Sequence, residues 1–334
     1  MTLLEQRYRF VLRMLPASYR AEREEEMVDA FLDGAGQVRD EDNARPSWGE
    51  VASVAALAVR ARVSGLGEAP RGRAVGDALR LAALLGLGFY AVMGCVGIAL
   101  SLRSLGLLGS LSEEWLITSL DGRIWEVVSI AAGLVSIAAF STLALGKVRT
   151  AKALAVAGLV YALVRFGIDV FTWPGPIVDL VPSMLATAVP VLALLAAYHR
   201  DAPVRRSSPL AALPLGLAAA YLAIIVLGSR LPTASPDDID MIWAIGWLSP
   251  EGLATAAVVL AGLVCLVRRT SPASRLALAI VAVPLMALRA PVYLIGASGV
   301  TSPLLVTMIV QCVALLALCV TLATVSFRAL PRPA

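Results

Sequence analysis

Five ionisable residues fall inside apolar runs of this chain: Glu126, Arg165, Asp169, Glu251 and Arg289. A charge in hydrocarbon costs on the order of a few kcal/mol unless it is paired or hydrated, so such groups belong inside a helix bundle or at its polar edge. Arg165 and Asp169 are four residues apart, which puts them on one face of a helix, one turn apart. Glu126 and Glu251 open their apolar runs, and Arg165 and Arg289 lie deep in the runs that follow. The expected pairs are Glu126 with Arg165 and Glu251 with Arg289, both in the outer half of a bilayer. Two kinds of chemistry follow. One is a polar, outward-facing cavity that holds a small ligand or ion. The other is a pair of structural ion pairs that lock neighbouring helices. Asp169 has no counterpart in the second half of the chain.

A second set of charged residues lies near the start, in "LPASYRAEREEEMVDAFLDG" (15–34). Here Tyr19, Glu22, Glu25, Glu26, Asp29 and Asp33 form a candidate docking face for a protein partner. The acids sit in and after the first turns of a helix, where the helix dipole favours negative charge. A solvated face with no partner is the alternative.

What is missing from the sequence narrows the field. It holds no G-x-x-x-x-G-K-[ST], no G-x-S-x-G and no H-E-x-x-H. The lone histidine, His199, stands at a span end beside Arg200, which leaves no imidazole relay. Cys95, Cys265, Cys312 and Cys319 all lie in apolar runs with neither disulfide nor zinc spacing. Asp237, Asp238 and Asp240 lack the spacing of a calcium loop and read as a solvated outer loop. These observations point away from an enzyme and give no reason to expect a cofactor, a metal or direct nucleic-acid binding.

The elements that must position these residues are helices in a membrane. Of the 334 residues, 59% are hydrophobic and 16% charged, far from the balance of a soluble domain. Eight apolar segments fall near 79–101, 124–146, 153–172, 179–198, 210–228, 249–267, 276–296 and 303–327, each long enough to cross about 30 Å of hydrocarbon. The short loops at one face carry Lys147, Arg149, Lys152, then Arg200, Arg205, Arg206, then Arg268, Arg269, Arg275. Only Asp201 opposes them, and the opposite loops carry Glu113, Glu114, Asp121, Asp179 and the three aspartates of 237–240, with Arg103, Arg123 and Arg230. This positive-inside pattern places both termini in the cytoplasm. The first turns lack a signal peptide's uninterrupted apolar core, so the first span is expected to direct insertion. Trp115, Trp125, Trp173, Trp243 and Trp247 read as an outer aromatic belt.

Residues 1–75 read as a cytoplasmic three-helix domain followed by a basic linker with Arg71, Arg73 and Arg80. Leu4, Tyr8, Val11, Leu12 and Leu15 make one apolar stripe. Ser47 and Glu50 have the form of a capping box opening a third helix that runs to about Ser64. The spans then divide into 76–204 and 205–334, four helices each, with apolar similarities offset by roughly 125–130 residues. An even number of spans per half gives parallel repeats. The fold expected is all-α: a small cytoplasmic domain plus eight transmembrane helices in a 4+4 parallel internal repeat.

The segment "RYRFVLRMLPASYRAEREEEMVDAFLD" (7–33) resembles the short helical prefix before the membrane part of some bacterial permeases. It is similar to the HTH- and ABC-associated small domain, often encoded beside regulators of the PadR type. The resemblance rests on an amphipathic helix, Leu15-Pro16, Tyr19-Arg20, Glu25-Glu26-Met27, Phe31 and Asp33. It implies a cytoplasmic interaction domain, and the rest of the chain departs from the permease pattern. The expectation is a non-catalytic regulatory or accessory component of a transport or stress-response system in the bacterial cytoplasmic membrane. It would meet the lipid bilayer and, through residues 1–70, a cytoplasmic protein or membrane transport component. The alternative is a small secondary transporter or permease with an outer-half polar site.

Overall fold

The computed structural model describes residues 2–35, 45–64, 70–108, 117–172, 177–198, 208–228, 246–289 and 302–329. Eleven helices of ten residues or more lie among them, with no strand. Three short helices come first: α1 (Leu3–Leu12), α2 (Ala17–Ala35) and α3 (Trp48–Ser64). Thr2 caps α1 by accepting from the Glu5 amide at 3.2 Å. The α3 capping box forms in both directions: Ser47 Oγ accepts from Glu50 N at 3.2 Å and Glu50 Oε2 accepts from Ser47 N at 2.6 Å. The expected stripe is the core of this unit. Tyr8, Leu12 and Leu15 are buried with Val28, Val54 and Ala58, and Tyr8 stacks on Phe31 with centroids 3.9 Å apart. Helix α3 packs against α4 and α7, so the unit is seated on the bundle.

The bundle consists of α4 (Pro70–Ser104), α5 (Leu120–Ala144), α6 (Val148–Thr172), α7 (Ile177–Ala197), α8 (Ser208–Gly228), α9 (Pro250–Val267), α10 (Pro272–Arg289) and α11 (Ser302–Ala329). All but α7 are long and apolar enough to cross a membrane, and the apolar part of α7, Val181–Ala197, is slightly shorter. The chain is therefore an all-α, multi-pass membrane protein. The basic stretch expected as a linker is helical from Pro70 onward. Proline suits a first helical position, and the 35-residue α4 spans about 52 Å, well beyond the hydrocarbon thickness. The seventh span, expected to reach 296, is described as helix up to Arg289, and the remainder, with Pro291, lies outside the described residues. So do His199, Trp115, Trp173, Trp243 and the aspartates of 237–240.

Helices α4 and α10 lie at the centre and pack on each other through Ala78, Ala82, Leu276 and Ala277. Around them lie two clusters. One joins α4–α7 through Leu87, Phe140, Leu143, Ala155, Val191 and Leu194. The other joins α9–α11 through Val258, Ala279, Ala282, Leu285, Leu315 and Leu318. Small residues bring α4 and α5 into backbone contact: a Cβ at Gly94 would stand 2.8 Å from the Gly133 carbonyl oxygen. Helix α8 packs against α4 and α5, so its neighbours differ from those of α4, its counterpart in a four-plus-four scheme.

The α5–α6 and α9–α10 hairpins end in the same turn. Gly146 and Arg269 both adopt positive φ, at 82° and 47°. In each turn two amides reach back to the helix: Gly146 N to Leu143 O and Lys147 N to Thr142 O, Arg269 N to Leu266 O and Thr270 N to Cys265 O. This is the Schellman geometry. The hairpins also begin alike. Ser119 and Ser249 cap α5 and α9 by accepting from Gly122 N at 3.2 Å and Gly252 N at 3.1 Å.

Candidate functional site

Arg165 stands on α6, where Trp125 of α5 and Asp169 hold it. Its Nε donates to Asp169 Oδ2 at 3.1 Å, and its guanidinium carbon lies 4.6 Å from the centre of the Trp125 ring. The second contact is a cation–π interaction. Trp125 is thus more than a member of an interfacial belt. The pair lines a small pocket of about 200 Å³ between α6 and α7, whose walls also include Tyr161, Phe166, Ser183, Met184 and Thr187. Behind it lies a larger, almost wholly apolar cavity of about 490 Å³, lined in part by Phe89, Tyr90, Pro190, Pro214, Tyr221 and Pro284. Tyr90 Oη and Thr187 Oγ1, 3.3 Å apart, join the walls of the two spaces. The charged chemistry lies in the smaller space.

Arg289 is the last residue of α10 and is only 5% exposed. Its Nη2 donates to Ser249 Oγ at 2.7 Å and approaches the Gly246 carbonyl at 3.5 Å. Gln311 of α11, fully buried, donates to the same carbonyl at 3.1 Å, while its own Oε1 meets no donor among the described residues. Thr307 of α11, four residues before Gln311, and Thr255 of α9, whose hydroxyl donates to the Glu251 carbonyl, are also fully buried. Gly252 allows this closure, because a Cβ there would meet the Gly246 carbonyl oxygen at 2.4 Å.

The cross-helix ion pairs expected from sequence are not those formed. Arg165 pairs with Asp169 on its own helix instead of Glu126, and Arg289 uses a hydroxyl and a carbonyl instead of the Glu251 carboxylate. The reason is register. Glu251 occupies the first turn of α9, where it suits the helix dipole, and its equivalent by the serine cap is Asp121, not Glu126. Glu126 lies half-buried, further along α5, outside the pocket wall.

The two arginine clusters share one spacing. Each arginine is the eighteenth residue of its helix, counted 148 to 165 and 272 to 289. Each contacts the residue 40 positions earlier, Trp125 or Ser249. The α7 residues Ser183 and Thr187 lie 124 residues before Thr307 and Gln311, as Arg165 lies before Arg289. Buried Ala155, Val191 and Leu194 precede Ala279, Leu315 and Leu318 by the same interval. At the capping serines the interval is 130, because α5 has 25 residues and α9 has 18, a difference of about two turns. Sequence reading misses Ser249, Gln311, Thr187 and Tyr90. The constant 40-residue step from Trp125 and Ser249 to the arginines is the signal that could find the first of them.

At the other end of the chain, the docking face divides. Arg9 binds Glu25 through two hydrogen bonds of 2.8 Å, with Glu5 at 3.1 Å and Glu24 at 3.6 Å. The Arg9 guanidinium holds the Glu25 carboxyl below its ordinary range. Tyr19 is half-buried against the core. Glu22, Glu26, Asp29 and Asp33 are exposed and follow i, i+4, i+7, i+11, one stripe along α2. No family model, no curated protein and no solved structure matches the chain.

Proposed function

We propose that this protein is a non-catalytic regulatory or accessory component of a transport or stress-response system in a bacterial cytoplasmic membrane. The N-terminal unit docks a cytoplasmic protein through the acidic stripe of α2, and the bundle anchors it. The supporting observation is the stripe itself: Glu22, Glu26, Asp29 and Asp33 point to solvent from a unit with its own core. Arg23 approaches Glu26 at 3.9 Å, a far looser contact than the two 2.8 Å bonds from Arg9 to Glu25, so the stripe keeps its charge on display. The basic turns around Lys147, Arg149, Arg268 and Arg269 favour a cytoplasmic position for this end of the bundle and for both termini. The common hairpin starts and turns, and the 124-residue interval, favour two related halves over chance similarity of apolar helices. The test is quantitative co-purification from native membranes, comparing the full chain with one lacking residues 2–70. A partner enriched only by the full chain supports docking; identical protein sets reject it.

The pocket beside the Arg165–Asp169 pair favours a second reading, a small secondary transporter with these two residues at its site. Arg165→Ala with the fold intact would abolish uptake in a transporter and leave partner capture unchanged in an accessory protein.

A further inference from the structure

The open state of the first arginine cluster, beside the closed state of the second, carries one more step. Arg289 is buried against the Gly246 carbonyl and Ser249, and Gln311 donates to the same carbonyl. At the matching place in the first half the Arg165 side chain is 43% exposed and Asp169 is 27% exposed, beside a pocket. The residue 124 positions after Asp169 is Tyr293, so only the first half adds an acid.

Three observations set what the pocket faces. Helix α6 is the least buried of the candidate spans, with 6% of its apolar window buried against 28% for α5 and 50% for α10. Val160, Leu163 and Val164 beside Arg165 are all more than half exposed, a surface suited to acyl chains. Arg165 lies about 25 Å along the helix from the basic turn, and Asp169 about 31 Å, at 1.5 Å per residue. With about 30 Å of hydrocarbon, that is the level of the headgroups on the face away from the basic turn, the outer leaflet in the orientation proposed above.

From this we infer that Arg165 and Asp169 form a binding site for the headgroup of an outer-leaflet phospholipid carrying a primary ammonium. Among the described residues, Arg165 spends Nε on Asp169, which leaves its Nη hydrogens for a phosphate. The second carboxylate oxygen of Asp169 takes the ammonium. The pair is neutral overall and carries opposite charges side by side, the complement of a zwitterion. A quaternary ammonium cannot donate a hydrogen bond to Asp169, and an anionic headgroup without an amine meets Asp169 unfavourably. Ser183, Thr187 and Tyr161 supply further polar groups on the pocket wall. The site stands whether the protein docks a partner or moves a solute.

The test places the full chain in nanodiscs containing equal amounts of phosphatidylethanolamine, phosphatidylcholine and phosphatidylglycerol. Native mass spectrometry then counts the lipids retained after release. Phosphatidylethanolamine is expected to be enriched over the other two. Asp169→Asn reduces its enrichment over phosphatidylcholine by about tenfold, the effect of one charge-assisted hydrogen bond. Arg165→Gln lowers retention of all three, and Arg165→Lys, which keeps the charge, restores part of it. Variants are compared only as monodisperse, helical protein; if Arg165→Gln fails to fold, Asp169→Asn and Arg165→Lys still decide. Equal retention of the three lipids by the wild type overturns the inference. So does stabilisation by free phosphoethanolamine in detergent without lipid enrichment, which would make the ligand a soluble zwitterion.

Discussion

Gly94→Ala is the most informative single change in the bundle, because it adds one methyl group where two backbones meet. The new Cβ would lie 2.8 Å from the Gly133 carbonyl oxygen and 3.2 Å from the Gly133 Cα. Neither atom is the end of a side chain, so α5 has to move as a helix. Overpacking of this kind costs about 1–3 kcal/mol. The gain in helix propensity on replacing glycine returns about 0.5–1 kcal/mol, so a net loss of up to about 2.5 kcal/mol is expected. Gly97→Ala is the control. It lies three residues away on α4, its Cβ would meet nothing within 4 Å, and it should be neutral or slightly stabilising. Adding Ala at Gly133 to the Gly94→Ala variant should cost less than the two single changes summed, because one displacement serves both. The assay is reversible unfolding of the full chain in mild detergent, followed by circular dichroism. Gly94→Ala as stable as Gly97→Ala would refute the close α4–α5 crossing.

Other consequences are open to similar measurements. Arg289→Met should destabilise the second half by about 1.5–3 kcal/mol, the range for a buried hydrogen bond to a charged group; the same unfolding assay checks it. Arg269 holds a φ of 47° where the first hairpin uses glycine. Arg269→Gly should therefore raise stability by up to about 1 kcal/mol, and Gly146→Ala should lower it. The Glu25 carboxyl is held low by Arg9, so its stabilising effect is complete above the ordinary carboxylate range and disappears as pH falls through the lowered value. Hydrogen exchange across α1 and α2 between pH 7 and pH 3 should show this loss, and Glu25→Gln should flatten the acid dependence.

Much of the architecture is legible in the sequence because it depends on local rules. The Ser47–Glu50 capping box, the Tyr8–Leu12–Leu15 core stripe and the Arg165–Asp169 turn each need only the spacing along one helix. What is not legible depends on how far one helix slides past the next. The expected Glu126–Arg165 and Glu251–Arg289 pairs fail for that reason, since the shared Schellman turns set the level of each arginine against Trp125 and Ser249. The stretch with Arg71, Arg73 and Arg80 reads as a linker because its arginines hide a helical start at Pro70. The Gly246 carbonyl, which receives both Arg289 and Gln311, is a backbone group that no side-chain pattern announces.

Docking of a protein by the acidic stripe of α2 is tested most directly by site-specific photo-crosslinking in intact cells. The photoreactive residue is placed at Glu26, which is 72% exposed, in the full chain. One discrete adduct of higher mass is expected. That adduct should disappear when Glu22, Asp29 and Asp33 are changed to Lys, with the protein still inserted and folded. No adduct, or one that survives the charge reversal unchanged, would contradict the docking role.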